Sequence, residues 1–126
     1  MLYSLSGKVI HGKGLGHRHH MPTANIKLNE DDVKCGVYAG ITTVNNKQYY
    51  SVTNIGPRPS IDNDPTNKVE TYIINFNEDI YGKDIKLDLY YYLRDIRKYN
   101  DIDEVVKQAD IDIKEAEDKL KEIIKL

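Results

Sequence analysis

Two polar side chains, Thr23 and Asn25, follow a proline directly after a glycine-rich segment. Because residues of an extended chain alternate between its two faces, both side chains point to the same side. A hydroxyl and an amide carbonyl are hard oxygen ligands of the kind that Mg²⁺ takes in proteins. The glycine-rich segment contains Gly12, Gly14 and Gly16, which let backbone N–H groups approach a phosphate closely. The combination predicts a site for a metal–polyphosphate.

The glycine-rich segment matches neither of the common phosphate-binding motifs. The run from Gly7 to Lys13 begins like a P-loop, but Gly14 stands where a serine or threonine must bind the metal. The glycine spacing also differs from that of the dinucleotide fingerprint, and no helical pattern follows it. An ordinary hairpin loop is therefore an alternative interpretation of this segment.

A carboxylate, Glu70, lies on the apolar face of a predicted strand, together with Tyr72, Ile74 and Phe76. A carboxylate in this position is costly to bury unless it is paired or takes part in chemistry. The sequence leaves two interpretations open. Glu70 is either a general base or a structural residue at the wet end of the strand, paired with Lys68 or an arginine.

The segment from Tyr90 to Tyr99 combines aromatic side chains with two arginines, Arg94 and Arg97. Such a set could sandwich a planar ring and contact anionic or carbonyl groups. Its tyrosines are also explained by β-propensity alone, in a chain with ten tyrosines, one phenylalanine and no tryptophan. Single-stranded nucleic-acid binders use the same residue types, but the net charge of −2 disfavours a nucleic-acid partner.

The elements that must position these residues are predicted to be six strands followed by one helix. Apolar and β-branched runs predict strands at residues 3–11, 24–28, 36–44, 48–53, 69–76 and 85–93. Asn45 and Asn46 predict a hairpin between the third and fourth strands, because asparagine tolerates positive φ. Residues 54–67, which contain three of the four prolines, predict a long functional loop.

The C-terminal segment predicts an amphipathic helix. Apolar residues recur at steps of three and four from Ile102 to Ile123, and Asp101 with Glu104 forms a potential capping box. The apolar stripe indicates a helix packed on the strands, since acids balance the lysines that a membrane-surface helix would need. We therefore predict a mainly β protein, a small antiparallel barrel or sandwich covered by a C-terminal helix.

Composition predicts a single globular domain over residues 1–126, with the strands at about 3–94 and the helix at about 101–124. Charged residues make up 30% of the chain, which is ordinary for a soluble protein. The single cysteine, Cys35, excludes an internal disulfide and fits a reducing compartment. Because neither a signal peptide nor a membrane span is found in the sequence, we expect a cytoplasmic protein.

Several motifs occur along the chain in a distinctive order. They are Gly7-x-Val9-x-x-Gly12, Pro22-Thr23-Ala24-Asn25, Gly36-Val37-Tyr38, Asn54-Ile55-Gly56-x-Arg58-Pro59, Glu70-Thr71, Tyr81-Gly82 and Leu93-Arg94. In this order they resemble riboflavin kinase (flavokinase) of the ATP-dependent bacterial and eukaryotic type, over about residues 5–122. The resemblance implies a six-stranded antiparallel Greek-key β-barrel with a C-terminal α-helix. It also implies transfer of the γ-phosphoryl group of Mg-ATP to the ribityl 5′-hydroxyl of riboflavin, which yields FMN and ADP.

The resemblance also implies roles for individual residues. Glu70 would be the catalytic base, and Thr23 and Asn25 would bind Mg²⁺ and nucleotide oxygens. Further nucleotide contacts would come from Gly12, Gly14, Gly16, His17, Ile73, Asn75 and Tyr81, and flavin contacts from Arg94, Arg97 and Tyr99. The segment at 54–67 would close over the substrates and exclude water.

The segment before Pro22 departs from the family pattern, because His20 replaces the usual glycine and His17 stands at the usual basic position. These changes bear on ATP affinity, and CTP or GTP is an alternative donor. All four histidines, His11, His17, His19 and His20, lie within ten residues, so a metal-binding barrel that uses this loop is one alternative function. A non-catalytic flavin- or nucleotide-binding module is another. We expect a monomer that lacks an adenylyltransferase domain and therefore does not make FAD.

Overall fold

The computed structural model describes residues 1–10, 23–28, 33–56, 68–96 and 101–126. Its elements in chain order are β1 Tyr3–Ile10, β2 Ala24–Leu28, β3 Gly36–Val44, β4 Lys47–Gly56, β5 Lys68–Ile73, β6 Asp84–Arg94 and α1 Ile102–Lys121. All strand pairs are antiparallel, and they close into a barrel with the order β1-β2-β5-β4-β3-β6. The predicted six-stranded antiparallel barrel with one C-terminal helix is confirmed.

The hairpin between β3 and β4 has the predicted turn. Val44 pairs with Lys47, so the loop contains two residues, Asn45 and Asn46, whose φ angles are 52° and 64°. Positive φ at both positions is the type I′ geometry that follows the twist of the flanking strands. The turn sets the register of β3 against β4, and with it the positions of residues farther along both strands.

Two predicted element bounds are wrong, both near the ends of strands. β4 continues to Gly56, because residues 54–56 remain paired with β5, so the predicted loop over 54–67 does not include these three residues. β5 ends at Ile73, two residues before Asn75, whose φ of 60° is left-handed. Phe76 therefore lies outside the strand and packs against the barrel interior, not on the face of Glu70.

The barrel interior is filled by aliphatic side chains from alternating strand positions, as a period of two requires. Tyr38 is the largest of the fully buried side chains and makes edge-to-face contacts with Tyr3 and Tyr92. Inside the barrel, the hydroxyl oxygens of Thr53 and Thr71 lie 3.1 Å apart and satisfy one another. Because the interior is packed, side chains that meet a substrate must lie on the outer face or at an end of the barrel.

The C-terminal half of α1 covers the outer face of β3 and β4. Ala116 and Leu120 are fully buried against a cluster that includes Val37, Ile41 and Val52. Beyond the helix, the Tyr50 hydroxyl donates to the carbonyl oxygen of residue 124 at 2.5 Å and accepts from the backbone N–H of residue 126 at 3.1 Å. These contacts fix the C-terminal end of the chain on the barrel.

The N-terminal half of α1 begins with the predicted cap, in which the Asp101 carboxylate accepts from the backbone N–H of Glu104 at 2.9 Å. The apolar stripe continues through this half, but Ile102 and Val105 are 49% and 41% exposed. The prediction that the whole stripe packs on the strands is therefore wrong for these first turns. We call residues 102–111 the α1 extension.

Candidate active site

Three polar side chains lie side by side on neighbouring strands: Asn25, Glu70 and Asn54. Asn25 of β2 pairs with Glu70 of β5, and Glu70 pairs with Asn54 of β4. Directly paired residues of antiparallel strands point to the same face, with Cβ atoms about 4.5–5.5 Å apart. All three are half-buried and face outward, because their sequence neighbours fill the interior. We call these three residues the polar row.

Thr23 precedes the row and carries a buried hydroxyl without a partner. Among the residues that the structure describes, Thr23 Oγ1 is the buried side-chain polar atom that lacks a hydrogen bond. A buried hydroxyl in this condition costs about 1–3 kcal/mol, and a cation or a polar ligand would relieve that cost. Since Asn25 follows two residues later, its amide oxygen and the Thr23 hydroxyl are oxygen donors of the kind that Mg²⁺ takes.

Two bulges in β6 redirect the side chains between Leu89 and Arg94, and because two reversals cancel, Arg94 keeps its outward side. Tyr92 pairs with Tyr38 and Arg94 with Val37, so residue 93 is extra; a second shift makes residue 90 extra. Each extra residue reverses the alternation of side chains along the strand. Leu93 consequently packs in the outer cluster under α1, whereas Tyr92 points into the barrel.

Arg94 is held by a carboxylate of α1. Its Nε donates to Asp112 Oδ1 at 3.0 Å, and its Nη2 donates to Oδ2 at 2.8 Å. Asp112 is only 4% exposed and also accepts from Gln108 Nε2 at 3.0 Å. This bidentate pair ties the end of β6 to α1, so Arg94 has a structural contact that sequence reasoning did not predict.

The polar row and Arg94 belong to one line across the barrel surface. Asn54 pairs with Val37, and Val37 pairs with Arg94, so the line runs from β2 through β5, β4 and β3 to β6. At about 4.8 Å per strand, Glu70 and Arg94 are separated by about 14 Å. Asp112, which holds Arg94, directly follows the α1 extension in the helix. The extension therefore reaches from Arg94 back to Ile102, a length of about 15 Å at about 1.5 Å per helical residue. The surface thus joins a polar row to an exposed apolar helix face.

The family model for flavokinase (riboflavin kinase) matches residues 1–120. The chain belongs to the riboflavin kinase family. A bifunctional riboflavin kinase/FMN adenylyltransferase from Bacillus subtilis (strain 168) is 37% identical to it, over 90% of this chain and 37% of that protein. The RNA-binding riboflavin kinase RibR from the same organism is 31% identical, over 86% of this chain and 47% of that protein. The chain therefore spans less than half the length of these two relatives.

A solved structure supports the same family. The crystal structure of riboflavin kinase from Trypanosoma brucei superposes on the chain with a TM-score of 0.71 and 27% sequence identity. The superposition covers 95% of this chain and 78% of that one. The barrel with its C-terminal helix is therefore the fold of a riboflavin kinase.

Three further predicted nucleotide residues, Ile73, Asn75 and Tyr81, lie within the described part of the chain. Ile73 is buried in the interior cluster, so its backbone is the part that remains available to a nucleotide. Asn75 and Tyr81 are exposed, and Tyr81 precedes Gly82, whose N–H bonds to the carbonyl oxygen of Val9 in β1. This contact brings Tyr81 near the end of β1, from which the glycine-rich segment continues.

Several predicted residues lie outside the described part of the chain and stay predictions. They are Gly12, Gly14, Gly16, His17, Arg97 and Tyr99, together with the other histidines of the alternative metal site, His11, His19 and His20. Within the described ranges, no three His, Cys, Asp or Glu side chains are grouped so that they could hold a metal ion. No helix in these ranges has the length and apolar character that crossing a lipid bilayer requires.

Sequence reasoning missed Asn54 as a site residue. The sequence places Asn54 in a motif before a proline-rich segment, where a loop was the natural prediction. Only the pairing of β4 with β5 shows that Asn54 flanks Glu70. Its alternation with the buried residues Thr53 and Ile55 is the signal that could have identified it as a strand residue.

Proposed function

We propose that the protein is an ATP:riboflavin 5′-phosphotransferase that converts riboflavin and Mg-ATP to FMN and ADP. The observation that carries the proposal is the pairing of Asn25 with Glu70 in a chain of the riboflavin kinase family. It brings the oxygen ligands for a metal–nucleotide next to a carboxylate that can serve as a base. Phosphoryl transfer requires mainly positioning and electrostatic stabilisation, which such an arrangement supplies.

The donor side of the proposed site is formed by Thr23 and Asn25. Their oxygens would hold Mg²⁺ and the phosphate oxygens of the nucleotide, and the unpartnered Thr23 hydroxyl supports this assignment. The ion would supply positive charge against the charge that develops on the phosphates. The glycine-rich segment and His17, Asn75 and Tyr81 would complete the nucleotide contacts.

Glu70 is the proposed general base. As the 5′-hydroxyl oxygen of riboflavin forms its bond to the γ-phosphorus, the hydroxyl proton passes to the Glu70 carboxylate, and the bond from the γ-phosphorus to the ADP oxygen breaks. The strand neighbours of Glu70 in the row are the neutral amides Asn25 and Asn54. No like charge therefore faces the carboxylate from either neighbouring strand at this register.

The acceptor side is proposed to be the α1 extension beside Arg94. Ile102 and Val105 offer exposed apolar area to the planar ring of the flavin, and Arg94, with Arg97 and Tyr99, would contact its polar edge and rim. The ribityl chain would then run across the barrel surface towards Glu70. This order of donor ligands, base and acceptor surface follows the line of paired residues described above.

The proposed scope is limited to small-molecule chemistry. We propose one kinase domain over residues 1–126, acting as a cytoplasmic monomer on riboflavin and ATP. One relative is named as RNA-binding, but the net charge of −2 supports no nucleic-acid partner for this chain. We expect FMN as the flavin product.

The test is conversion of riboflavin to FMN with Mg-ATP, followed by chromatography. Glu70→Gln should reduce kcat by roughly 10²–10⁴, the usual effect of losing a general base, while riboflavin binding measured by flavin fluorescence is retained. Glu78→Gln, which changes an exposed glutamate beyond β5, is the matched control and should keep full activity.

Two outcomes would contradict the proposal. Full turnover by Glu70→Gln would remove Glu70 from the mechanism. Tight riboflavin binding by the wild-type protein, without FMN formation from ATP, CTP or GTP, would show a binding module in place of a kinase.

A further inference from the structure

Asn54 is the one member of the polar row to which the proposed mechanism gives no task. It is half-buried on the outer face of β4, between Glu70 of β5 and Val37 of β3. Within the described residues, its carboxamide has no hydrogen-bond partner or ion pair. Its polar atoms are therefore available to a ligand at the surface.

The position of Asn54 is on the acceptor side of Glu70. Asn25 occupies the opposite side of Glu70, where Thr23 completes the donor ligands. Asn54 lies one strand beyond Glu70 in the direction of Arg94 and the α1 extension, which is a step of about 4.8 Å. A chain that connects a ring on the α1 extension with a hydroxyl at Glu70 must pass over or beside Asn54.

The chemistry of Asn54 suits a polyhydroxyl chain. A carboxamide provides two N–H donors and a carbonyl acceptor, and each hydroxyl of a polyol is both a donor and an acceptor. The adjacent Val37 and Val52 are buried, so they give the carboxamide an apolar surround. Neither of them can replace its hydrogen bonds.

We propose that Asn54 binds hydroxyl groups of the polyol chain of the flavin substrate and thereby selects acceptors that carry such a chain. This inference rests on the proposed riboflavin kinase function. Asn54 does not take the proton or hold the metal. It orients the chain so that its terminal hydroxyl reaches Glu70.

The experiment compares the wild-type protein with Asn54→Ala and Asn54→Ser on riboflavin and on its 2′-, 3′- and 4′-deoxy analogues. All four flavins keep the 5′-hydroxyl that is phosphorylated. Asn54→Ala should reduce kcat/KM for riboflavin by about 3- to 10-fold, the effect of losing one neutral hydrogen bond. The loss should appear mainly in the KM for riboflavin, with the KM for Mg-ATP unchanged, and Asn54→Ser should restore part of it.

The deciding observation is the coupling between the side chain and a particular hydroxyl. For the analogue that lacks the bound hydroxyl, Asn54→Ala should cause almost no further loss, since the interaction is already gone. Gln48→Ala is the matched control, because Gln48 is exposed on the same strand and face, six residues and about 20 Å away. It should leave all four flavins unaffected.

Equal losses for all four flavins would overturn the inference, because a structural role lowers every activity alike. If the wild-type protein forms no FMN, the proposed function fails. The role of Asn54 is then tested by equilibrium binding of the same four flavins, measured by fluorescence quenching. Coupling in binding would support the inference. Riboflavin binding that Asn54→Ala leaves unchanged, or wild-type protein that binds none of the flavins, would overturn it.

Discussion

The ion pair between Arg94 and Asp112 makes an asymmetric prediction about stability. The side chain of Asp112 is 5% exposed, whereas that of Arg94 is 22% exposed. Removing one partner of a buried pair costs about 3–5 kcal/mol, because the other charge is left buried without compensation. Arg94→Met leaves the carboxylate with only Gln108 as a partner among the described residues, so we expect a loss of about 3–5 kcal/mol.

Asp112→Ala should cost less than Arg94→Met. The remaining guanidinium keeps its bond to the carbonyl oxygen of Asp95 at 3.1 Å and can turn towards water. We therefore expect a loss of about 2–3 kcal/mol, below the range for a fully buried charge. The double variant Arg94→Met/Asp112→Ala should be more stable than Arg94→Met alone, since it leaves no buried charge.

The assay is urea unfolding at neutral pH, followed by far-UV circular dichroism. The matched control is Asp110→Ala, because Asp110 is an exposed aspartate on the same helix. It should change the free energy of unfolding by no more than about 0.5 kcal/mol. The reasoning is refuted if Arg94→Met and Asp112→Ala are both within that margin, or if the effects at the two positions simply add in the double variant.

Three further predictions concern single side chains. Thr23→Val should raise the free energy of unfolding by about 1–3 kcal/mol, because it removes a buried hydroxyl that has no hydrogen bond, yet weaken Mg-ATP binding in calorimetry at limiting Mg²⁺; unchanged affinity would contradict the ligand assignment. Gly40→Ala places a Cβ 2.4 Å from the Asp88 carbonyl oxygen. Thermal denaturation should therefore show a free energy of unfolding that is lower by about 1–3 kcal/mol, and an unchanged Tm would contradict this prediction. Burial, with the neighbouring Tyr3, raises the pKa of Tyr38 to about 12 from 10.0. The folded protein thus holds this proton more tightly than the unfolded chain. The resulting stabilisation is complete below about pH 10 and is lost as the pH rises from about 10 to about 12. Tyr38→Phe should flatten that alkaline loss in urea unfolding between about pH 8 and 11.5, and parallel pH curves would refute it.

Local patterns predicted the elements well, because they depend on neighbours in sequence. Asn45 and Asn46 fixed a turn whose geometry needs positive φ at both positions. The alternation around Thr23 and Asn25 likewise predicted that both side chains share one side of an extended segment. The helical stripe and Asp101 predicted α1, whose cap contact is present.

Contacts between distant segments could not be predicted from the sequence patterns alone. That Asn25 faces Glu70 depends on the pairing of β2 with β5, which are separated by two other strands in the chain. The inward position of Tyr92 and the outward position of Leu93 depend on two bulges, and no local signal marks where an extra residue is inserted. The stripe of α1 predicted burial of Ile102, but burial depends on whether the barrel extends that far.

We expect the seam between β1 and β6 to form late in folding. These strands are the first and last of the barrel, and their side chains meet where the Ser4 hydroxyl donates to Asp88 at 2.7 Å across 84 residues. Pairings of such long range require closure of nearly the whole chain and are slow to form. During synthesis, the seam cannot form before β6 has left the ribosome.

The same seam makes ligand capture a reporter of folding. Arg94 and the start of α1 are positioned only when β6 is paired on both sides, so the proposed flavin surface exists only in the closed barrel. In refolding from urea, we expect flavin fluorescence quenching to recover after the far-UV signal. If the proposed function holds, riboflavin added during refolding should raise the yield of closed protein by mass action, because only the native state would carry the proposed flavin surface.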